Sequence, residues 1–277
     1  MKPAWLKIPK ALGSSYEQVK RILAQENVAT VCVEARCPNR LTCWSKRGMT
    51  FMILGTICTR KCKFCAVKTG NPKQAINPNE AYQIIEVIKK LGLKYVIITS
   101  VTRDDLPDGG ARHFAYVINK IREQFASSVK IEILVPDFQG DREAINIVLK
   151  ASPDVFAHNL ETVRRLTPLV RDPKASYERS LQVLEYAAQT STNIEIKSGF
   201  MLGLGETESE IKETIYDLKQ AGVKILTIGQ YLTPATNLLP VKQYVAPEKF
   251  RAYENYAYQL GFKKVLSGPL IRSSFIG

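Results

Sequence analysis

From residue 50 to residue 261, short apolar runs alternate with amphipathic segments, and no other feature of the chain constrains its fold as strongly. The runs are TFMILG (50–55), KYVIITS (94–100), KIEILVP (130–136), DVFAH (154–158), NIEIKSGF (193–200) and KILTIGQ (224–230). Segments 77–92, 110–125, 141–152, 176–190, 207–222 and 246–261 carry apolar residues at helical spacing. Start and stop signals agree with this: Pro78 and Asn79 precede the first helix and Gly92 follows it, while Thr207 and Glu210 form a T-x-x-E capping box on a segment closed by Gly222. Six strands alternating with six helices call for parallel strands with helices outside them, as a barrel or as an open doubly wound sheet. No G-x-G-x-x-G follows the first strand, which counts against a dinucleotide-binding sheet. Polar segments follow the strands instead, among them CTRKCKFC, VTRDDLPDGG, PDFQGD, HNLET and GQYLTPATN. In β/α barrels that end of the strands carries the active site. The expected fold is α/β, a partial TIM-type (β/α)6 barrel with N-terminal and C-terminal extensions over its mouth. Its parts are residues 1–49, 50–262 and 263–277.

All six cysteines lie between Cys32 and Cys65, in two triplets. Cys32, Cys37 and Cys43 are spaced C-x4-C-x5-C, and Cys58, Cys62 and Cys65 are spaced C-x3-C-x2-C. A disulfide framework would spread its cysteines across a chain this long, so clustered thiols point to metal. Structural zinc needs a fourth ligand per site and usually a paired C-x2-C form. The only histidines, His113 and His158, are distant in sequence and lie near other strands; His158 reads as a packed residue. Thiolates in threes favour iron–sulfur clusters. Three thiolates on a cubane leave one iron open, and an open position is where chemistry happens. Arg60, Lys61 and Lys63 either offset the charge of a thiolate-bound cluster or are simply solvated. Asp104, Asp105 and Asp108 in RDDLPDGG read as turn chemistry.

The net charge of +13 reads by default as a solvated basic surface, and more sharply as a sign of an acidic protein partner or an anionic cofactor. Lys and Arg are scattered, with no run of five and no basic–aromatic repeat, so nucleic acid is the weaker expectation. The longest apolar runs are far too short to span a bilayer. The first residues lack the apolar core of a signal peptide, so a cytoplasmic protein without membrane contact is expected.

CTRKCKFC after an apolar strand resembles the radical S-adenosylmethionine enzymes. The preceding C-x4-C-x5-C, with FMILG, RDDLPDGGA, VPDF, HNLETV, SYERSL, KSGFMLGLGET, ILTIGQYL and SGPLIRSS, resembles the lipoyl synthase family within them, from about residue 28 to 275. The resemblance implies two [4Fe–4S] clusters and S-adenosyl-L-methionine as cofactors. Cys58, Cys62 and Cys65 would hold the radical-generating cluster. Cys32, Cys37 and Cys43 would hold an auxiliary cluster that donates sulfur, with Ser274 of the terminal R-S-S on its fourth iron. Asn159 and Glu161 would meet the cofactor's ribose and Arg179 its carboxylate. The implied reaction inserts two sulfurs, at C6 and C8 of a protein-bound octanoyl-lysine. Implied partners are octanoylated lipoyl carrier domains (2-oxoacid dehydrogenase E2, glycine cleavage H protein), an electron donor such as flavodoxin or ferredoxin, and an iron–sulfur carrier for cluster rebuilding. The chain departs from the family pattern at Thr56, Leu238 and Phe275, where Asp, His and Tyr are usual. Alternatives are a sulfur-inserting enzyme resembling biotin synthase or a methylthiotransferase, and an iron–sulfur carrier or scaffold.

Overall fold

A computed structural model describes residues 3–7, 14–73 and 75–274; Phe275 lies outside the described residues. The described chain divides into two compact units.

One unit contains residues 14–60, 66–73, 75–155 and 274. Its N-terminal segment, expected only as an extension, is helical: α1 (Ser14–Gln25), α2 (Val31–Glu34) and α3 (Arg40–Ser45). Strand β1 (Thr50–Ile53) follows, then a small parallel pair, β2 (Ile57–Cys58) with β3 (Lys68–Thr69). Helix α4 (Glu80–Leu91), β4 (Tyr95–Ser100), α5 (Ala111–Phe125), β5 (Lys130–Leu134) and α6 (Arg142–Lys150) complete the unit. β1 pairs in parallel with β4, with Thr50 opposite Ile97, and β4 with β5, with Tyr95 opposite Lys130. All four residues of β1 are buried. A parallel strand covered on both faces is apolar throughout, which is why these runs show no alternation. Helix α4 buries Ala81, Ile84, Ile85, Ile88 and Leu91, one stripe at helical spacing, and stops at Gly92 in the left-handed region (φ 63°).

The other unit contains residues 3–7, 61–65 and 156–273. Strand β6 (Val155–Ala157) begins at the division. After it come α7 (Thr167–Val170), α8 (Tyr177–Thr190), β7 (Glu195–Leu202), α9 (Glu208–Gln220), β8 (Ile225–Gln230), α10 (Pro247–Gln259) and β9 (Lys264–Gly268). β7, β8 and β9 are parallel, with Lys197 opposite Ile225 and Ile225 opposite Lys264. The capping box of α9 is formed as the sequence predicts, with the Thr207 side chain accepting from the N–H of Glu210 and the Glu210 carboxylate accepting from the N–H of Thr207. β9 was not expected. Only Val265 among its residues is buried, so its run lacks the continuous apolar signature of the other strands.

β8 ends in Gly229 and Gln230, and the chain after β9 passes directly over Gly229. A Cβ there would stand 2.1 Å from the carbonyl oxygen of Ile271, a backbone atom. Gly229→Ala is therefore expected to cost about 1–3 kcal/mol through a forced shift of residues 269–273. Denaturant unfolding measures the loss, and trypsin should cut faster at Arg272. Unchanged stability together with unchanged cleavage would show that the segment does not rest on β8.

Candidate metal centre and cofactor site

The chain leaves β1 through two residues in the left-handed region, Leu54 (φ 66°) and Gly55 (φ 85°). Glu80, in the first turn of α4, accepts from the N–H groups of Leu54 (3.0 Å) and Gly55 (3.4 Å), and its carboxylate is 2.7 Å from His113 Nε2. The turn leads to Cys58 in β2. There the N–H of Gly70 donates to the Cys58 carbonyl at 2.9 Å, so β2 and β3 close the base of the cysteine loop. Thr59 donates both its N–H and its hydroxyl to the Thr102 carbonyl, each at 3.0 Å.

Arg60 turns inward and is buried, at 6% exposure. Its Nε and Nη2 donate to Asp104, both at 2.9 Å, and its Nη1 and Nη2 donate to Asp137 at 2.9 and 2.7 Å. Asp104 follows β4 and Asp137 follows β5. Burial alone would lower the Arg60 pKa, but hydrogen bonds and charge from the two carboxylates outweigh it and hold the pKa above its usual value. The backbone N–H of Arg60 donates to Cys58 Sγ at 3.4 Å. Two expectations are corrected here. Arg60 is a buried ion-pair partner rather than a solvated or loosely compensating charge. Asp104 binds it, and Asp105 pairs with Arg103 at 2.7 Å, so turn chemistry describes only Asp108, which accepts from the N–H groups of Gly110 and Arg112. No sequence signal pairs Arg60 with Asp137, because the partners stand 77 residues apart.

In the other unit, the segment Lys61–Cys65 is held by its backbone. The N–H of Lys61 donates to the Asp172 carboxylate at 2.7 Å and that of Lys63 to the Val170 carbonyl at 2.9 Å. The Lys63 carbonyl accepts from the N–H of Leu239 at 3.0 Å. The N–H of Asp172 donates to Cys62 Sγ at 3.4 Å. Such N–H···S bonds are one of the means by which a protein sets a cluster's potential.

Asn159 and Glu161 follow β6, and Asn159 Nδ2 donates to the Glu161 carboxylate at 3.0 Å. Glu161 has φ 69°, and its N–H and carbonyl are bonded to Gly199 and Met201 of β7. Burial pushes the Glu161 carboxyl up, opposed by the charge of Arg171 and the Asn159 amide. Arg171 is itself buried and donates to Ser180 Oγ at 2.7 Å, and His158 Nε2 is 2.9 Å from the same hydroxyl. Arg179 occupies the first turn of α8, where its N–H donates to Ser176 Oγ and its guanidinium to the Lys174 carbonyl at 2.6 Å. Arg171 is thus the guanidinium within electrostatic reach of Glu161, and nothing in the run LVRDP singled it out beforehand. Asn159 Oδ1 is buried without a partner, an unmet acceptor that a ligand hydroxyl would satisfy.

The first cysteine triplet rides on α2, the turn after it and α3. Cys37 donates its N–H to the Cys32 carbonyl at 3.1 Å, and the Cys43 carbonyl accepts from Gly48 at 2.8 Å. Cys32 is buried; the other five cysteines are half-buried, and all six lie outside any disulfide. Burial raises the Cys32 thiol pKa, and the Thr50 backbone N–H and the Trp44 side chain pull it down. Among the described residues, no three His, Cys, Asp or Glu side chains converge as ligands of a single ion do. A [4Fe–4S] cubane takes one thiolate per iron, so its donors need not converge. A cavity of about 600 Å³ near this triplet is lined by Thr30, Val33, Glu34, Trp44 and Glu80 among others, and by no cysteine. Ser274 is half-buried.

Residues 52–218 match the Radical SAM superfamily. A lipoyl synthase of Thermus thermophilus is 55% identical over 274 residues, covering 99% of this chain and 84% of its own. Those of Caldicellulosiruptor saccharolyticus and Pyrobaculum aerophilum are 51% and 50% identical, each over 99% of this chain and over 95% and 94% of their own. The chain belongs to the lipoyl synthase family. Membership makes it an enzyme of the radical S-adenosylmethionine type, with two [4Fe–4S] clusters and S-adenosylmethionine as cofactors. Solved structures agree on the fold. The [FeFe]-hydrogenase maturase HydG superposes with a TM-score of 0.60 at 13% identity, covering 91% of this chain and 68% of its own. Methylornithine synthase PylB gives 0.57 at 15%, covering 92% and 72%. The α/β fold with parallel strands is that of the radical SAM enzymes, with their partial TIM barrel, as the alternation of runs and helices predicted. No helix among the described residues is long and apolar enough to cross a membrane.

Removing one member of a buried ion pair leaves an uncompensated charge. Arg60→Ala should therefore destabilise the metal-free protein by about 3–5 kcal/mol. Arg60→Lys keeps the charge but cannot fork to two carboxylates, so a smaller loss is expected. Urea unfolding under anaerobic conditions measures both, with the exposed Arg251→Ala as reference. A loss at Arg60 no larger than at Arg251 would dismiss the ion-pair assignment.

Proposed function

We propose that this lipoyl synthase family member holds its radical-generating [4Fe–4S] cluster on Cys58, Cys62 and Cys65, and its sulfur-donating cluster on Cys32, Cys37, Cys43 and Ser274. The substrate is an octanoyl group in amide linkage to a lysine of a lipoyl carrier domain, which receives sulfur at C6 and C8. The two cysteine triplets within 34 residues carry this reading, and the relatives of the same family support it. When bound, the clusters and S-adenosylmethionine supply the radical and the sulfur, chemistry that no side chain offers at an unactivated C–H bond.

The protein's own residues bind and position. Asn159 has a buried, unmet acceptor for a ribose hydroxyl, and Glu161 is held beside it by β7. Arg179 is the guanidinium proposed for the cofactor carboxylate, whose geometry it matches, and Arg171, buried and bonded to Ser180, adds positive charge near Glu161. Ser274 would give the donor cluster a hard oxygen on a soft site, a bond weak enough to yield when the cluster is consumed. Residues 1–49 and 263–277 serve as extensions that carry the donor-cluster ligands around a 50–262 catalytic region.

The carriers are the E2 subunits of 2-oxoacid dehydrogenases or the glycine cleavage H protein. A flavodoxin or ferredoxin is the electron source, an iron–sulfur carrier rebuilds the donor cluster, and the setting is cytoplasmic. The net charge of +13 favours acidic carrier domains. Exposed charges are screened within about 10 Å at 0.1 M salt, so carrier affinity should fall as salt rises.

Anaerobic reconstitution tests the reading. Two clusters require about eight irons per chain. With S-adenosylmethionine, a reductant and an octanoyl-lysine carrier peptide, mass spectrometry should show 5′-deoxyadenosine and a peptide carrying two added sulfurs. Cys43→Ala should still release the nucleoside but give no lipoyl product. Nucleoside without sulfur on the peptide would reject this substrate, and lipoyl product from Cys43→Ala would reject the donor-cluster assignment.

A further inference from the structure

Three consecutive residues, Val170, Arg171 and Asp172, clasp the segment Lys61–Cys65. The Val170 carbonyl accepts from the N–H of Lys63 at 2.9 Å, the Asp172 carboxylate accepts from the N–H of Lys61 at 2.7 Å, and the Asp172 N–H donates to Cys62 Sγ at 3.4 Å. Arg171, between the other two, sends its guanidinium to α8, where Nη1 donates to Ser180 Oγ at 2.7 Å. The same oxygen is 2.9 Å from His158 Nε2. His158 in turn is fixed to β7, its N–H donating to the Lys197 carbonyl at 3.1 Å, and the residue after it is Asn159 with its unmet Oδ1. Arg171, Ser180 and His158 are all buried, and Ser180 has 0% exposure. A guanidinium can only donate, so Ser180 Oγ accepts from Arg171 and keeps its own proton for the imidazole. A hydroxyl so sheltered cannot exchange either partner for water without opening the packing around it. One side chain therefore stands between the clasp on a cysteine and the strand end that carries Asn159.

We propose that Ser180 is a positioning residue that couples the cysteine loop to the cofactor site. Through Arg171 it holds the clasp that places the Asp172 N–H on Cys62 Sγ, and through His158 it holds the end of β6 that presents Asn159. Both roles rest on the reading that Cys58, Cys62 and Cys65 carry the radical-generating cluster and that Asn159 meets S-adenosylmethionine. An N–H donated to a cluster thiolate stabilises the reduced, more negative state, so a residue that fixes Asp172 in place raises the cluster's potential. Hydrogen-bond partners behind a metal ligand orient it, and Ser180 plays that part for two sites at once.

The test uses the full chain in a Cys32→Ala, Cys37→Ala, Cys43→Ala background, so that only the radical-generating cluster loads. Spectroelectrochemistry gives its reduction potential, and equilibrium dialysis against the oxidised protein gives the affinity for S-adenosylmethionine. Ser180→Ala deletes one oxygen. One hydrogen bond corresponds to about fivefold in an equilibrium, so the cluster should be about fivefold harder to reduce, and the cofactor bound about fivefold more weakly. For one electron that is a potential about 40 mV lower. Val183→Ala, on the buried side of the same helix, loosens the packing without removing a hydrogen bond and should change neither value. Wild-type potential and affinity in Ser180→Ala, a change in only one of them, or equal changes in Val183→Ala would overturn the coupling. His158→Phe keeps the Arg171–Ser180 bond and should weaken cofactor binding alone, which leaves a test if Ser180→Ala folds poorly. Unchanged affinity in His158→Phe would also overturn the coupling. A background protein that fails to take up about four irons would instead reject the cluster reading, and one that loads but retains no S-adenosylmethionine would reject the cofactor reading.

Discussion

A buried guanidinium between two carboxylates fixes the segment that carries Cys58. A charge as sheltered as Arg60 is tolerable only when its partners are in place, since an unpaired one is disfavoured by several kcal/mol. Those partners follow β4 and β5, so Arg60 can be neutralised only when β1, β4 and β5 are paired in register. Cys58 is two residues away and receives the Arg60 backbone N–H on its sulfur. The conformation of the metal-binding loop and the pairing of the strands are therefore one cooperative event in this unit. An exposed loop with three cysteines would have many conformers, whereas this one has its backbone committed at Thr59, Arg60 and Gly70.

What could be read from the sequence followed from periodicity and spacing. β1, β4, β5, β7 and β8 and their helices were legible because a strand buried on both faces is apolar throughout and a helix packed on one side is apolar every third or fourth residue. β9 was not, because a strand with one buried residue leaves no such trace. The helical character of α2 and α3 left no trace for a related reason: they are four and six residues long, too short for a period to show, whereas α1 carries Tyr16, Val19, Ile22 and Leu23 at helical spacing, a signal that was there to be read. The cysteine triplets were legible because ligand spacing is local. The Arg60–Asp137 pair and the Arg171–Ser180–His158 contacts were not, because each depends on which residues the topology brings together. Arg179 was singled out by family resemblance, and the structure places it at the helix start, bonded to Ser176 and Lys174.

Glycine marks the places where backbone approaches backbone near the site. Gly110 has φ 91° and stands so close to Leu54 that a Cβ would come within 2.3 Å of that side chain, which seats the start of α5 against the turn out of β1. Gly203 has φ 103° and accepts no Cβ either, because the Gln243 carbonyl would be 2.4 Å away. Its carbonyl receives the N–H of Lys242, and the Gln230 amide ties the same stretch together through Leu202, Gln243 and Val245. The loops after β7 and β8 are thus fastened to each other rather than left to fluctuate, as a site that must position a reactive radical requires.

The two cysteine triplets differ in burial and in the backbone donors their sulfurs receive. Cys58 and Cys62 each receive a backbone N–H from the loop that carries them or from Asp172, and both thiols are half-buried. Backbone donors come with the fold of the loop and stay when a side chain moves. Cys32 is buried in α2, and Trp44 of α3 is stacked on Tyr16 and flanked by Arg40. On the proposed assignment, the segment that carries Cys58 is tied to the strands through Arg60, whereas Cys32, Cys37 and Cys43 ride on α2, the turn after it and α3.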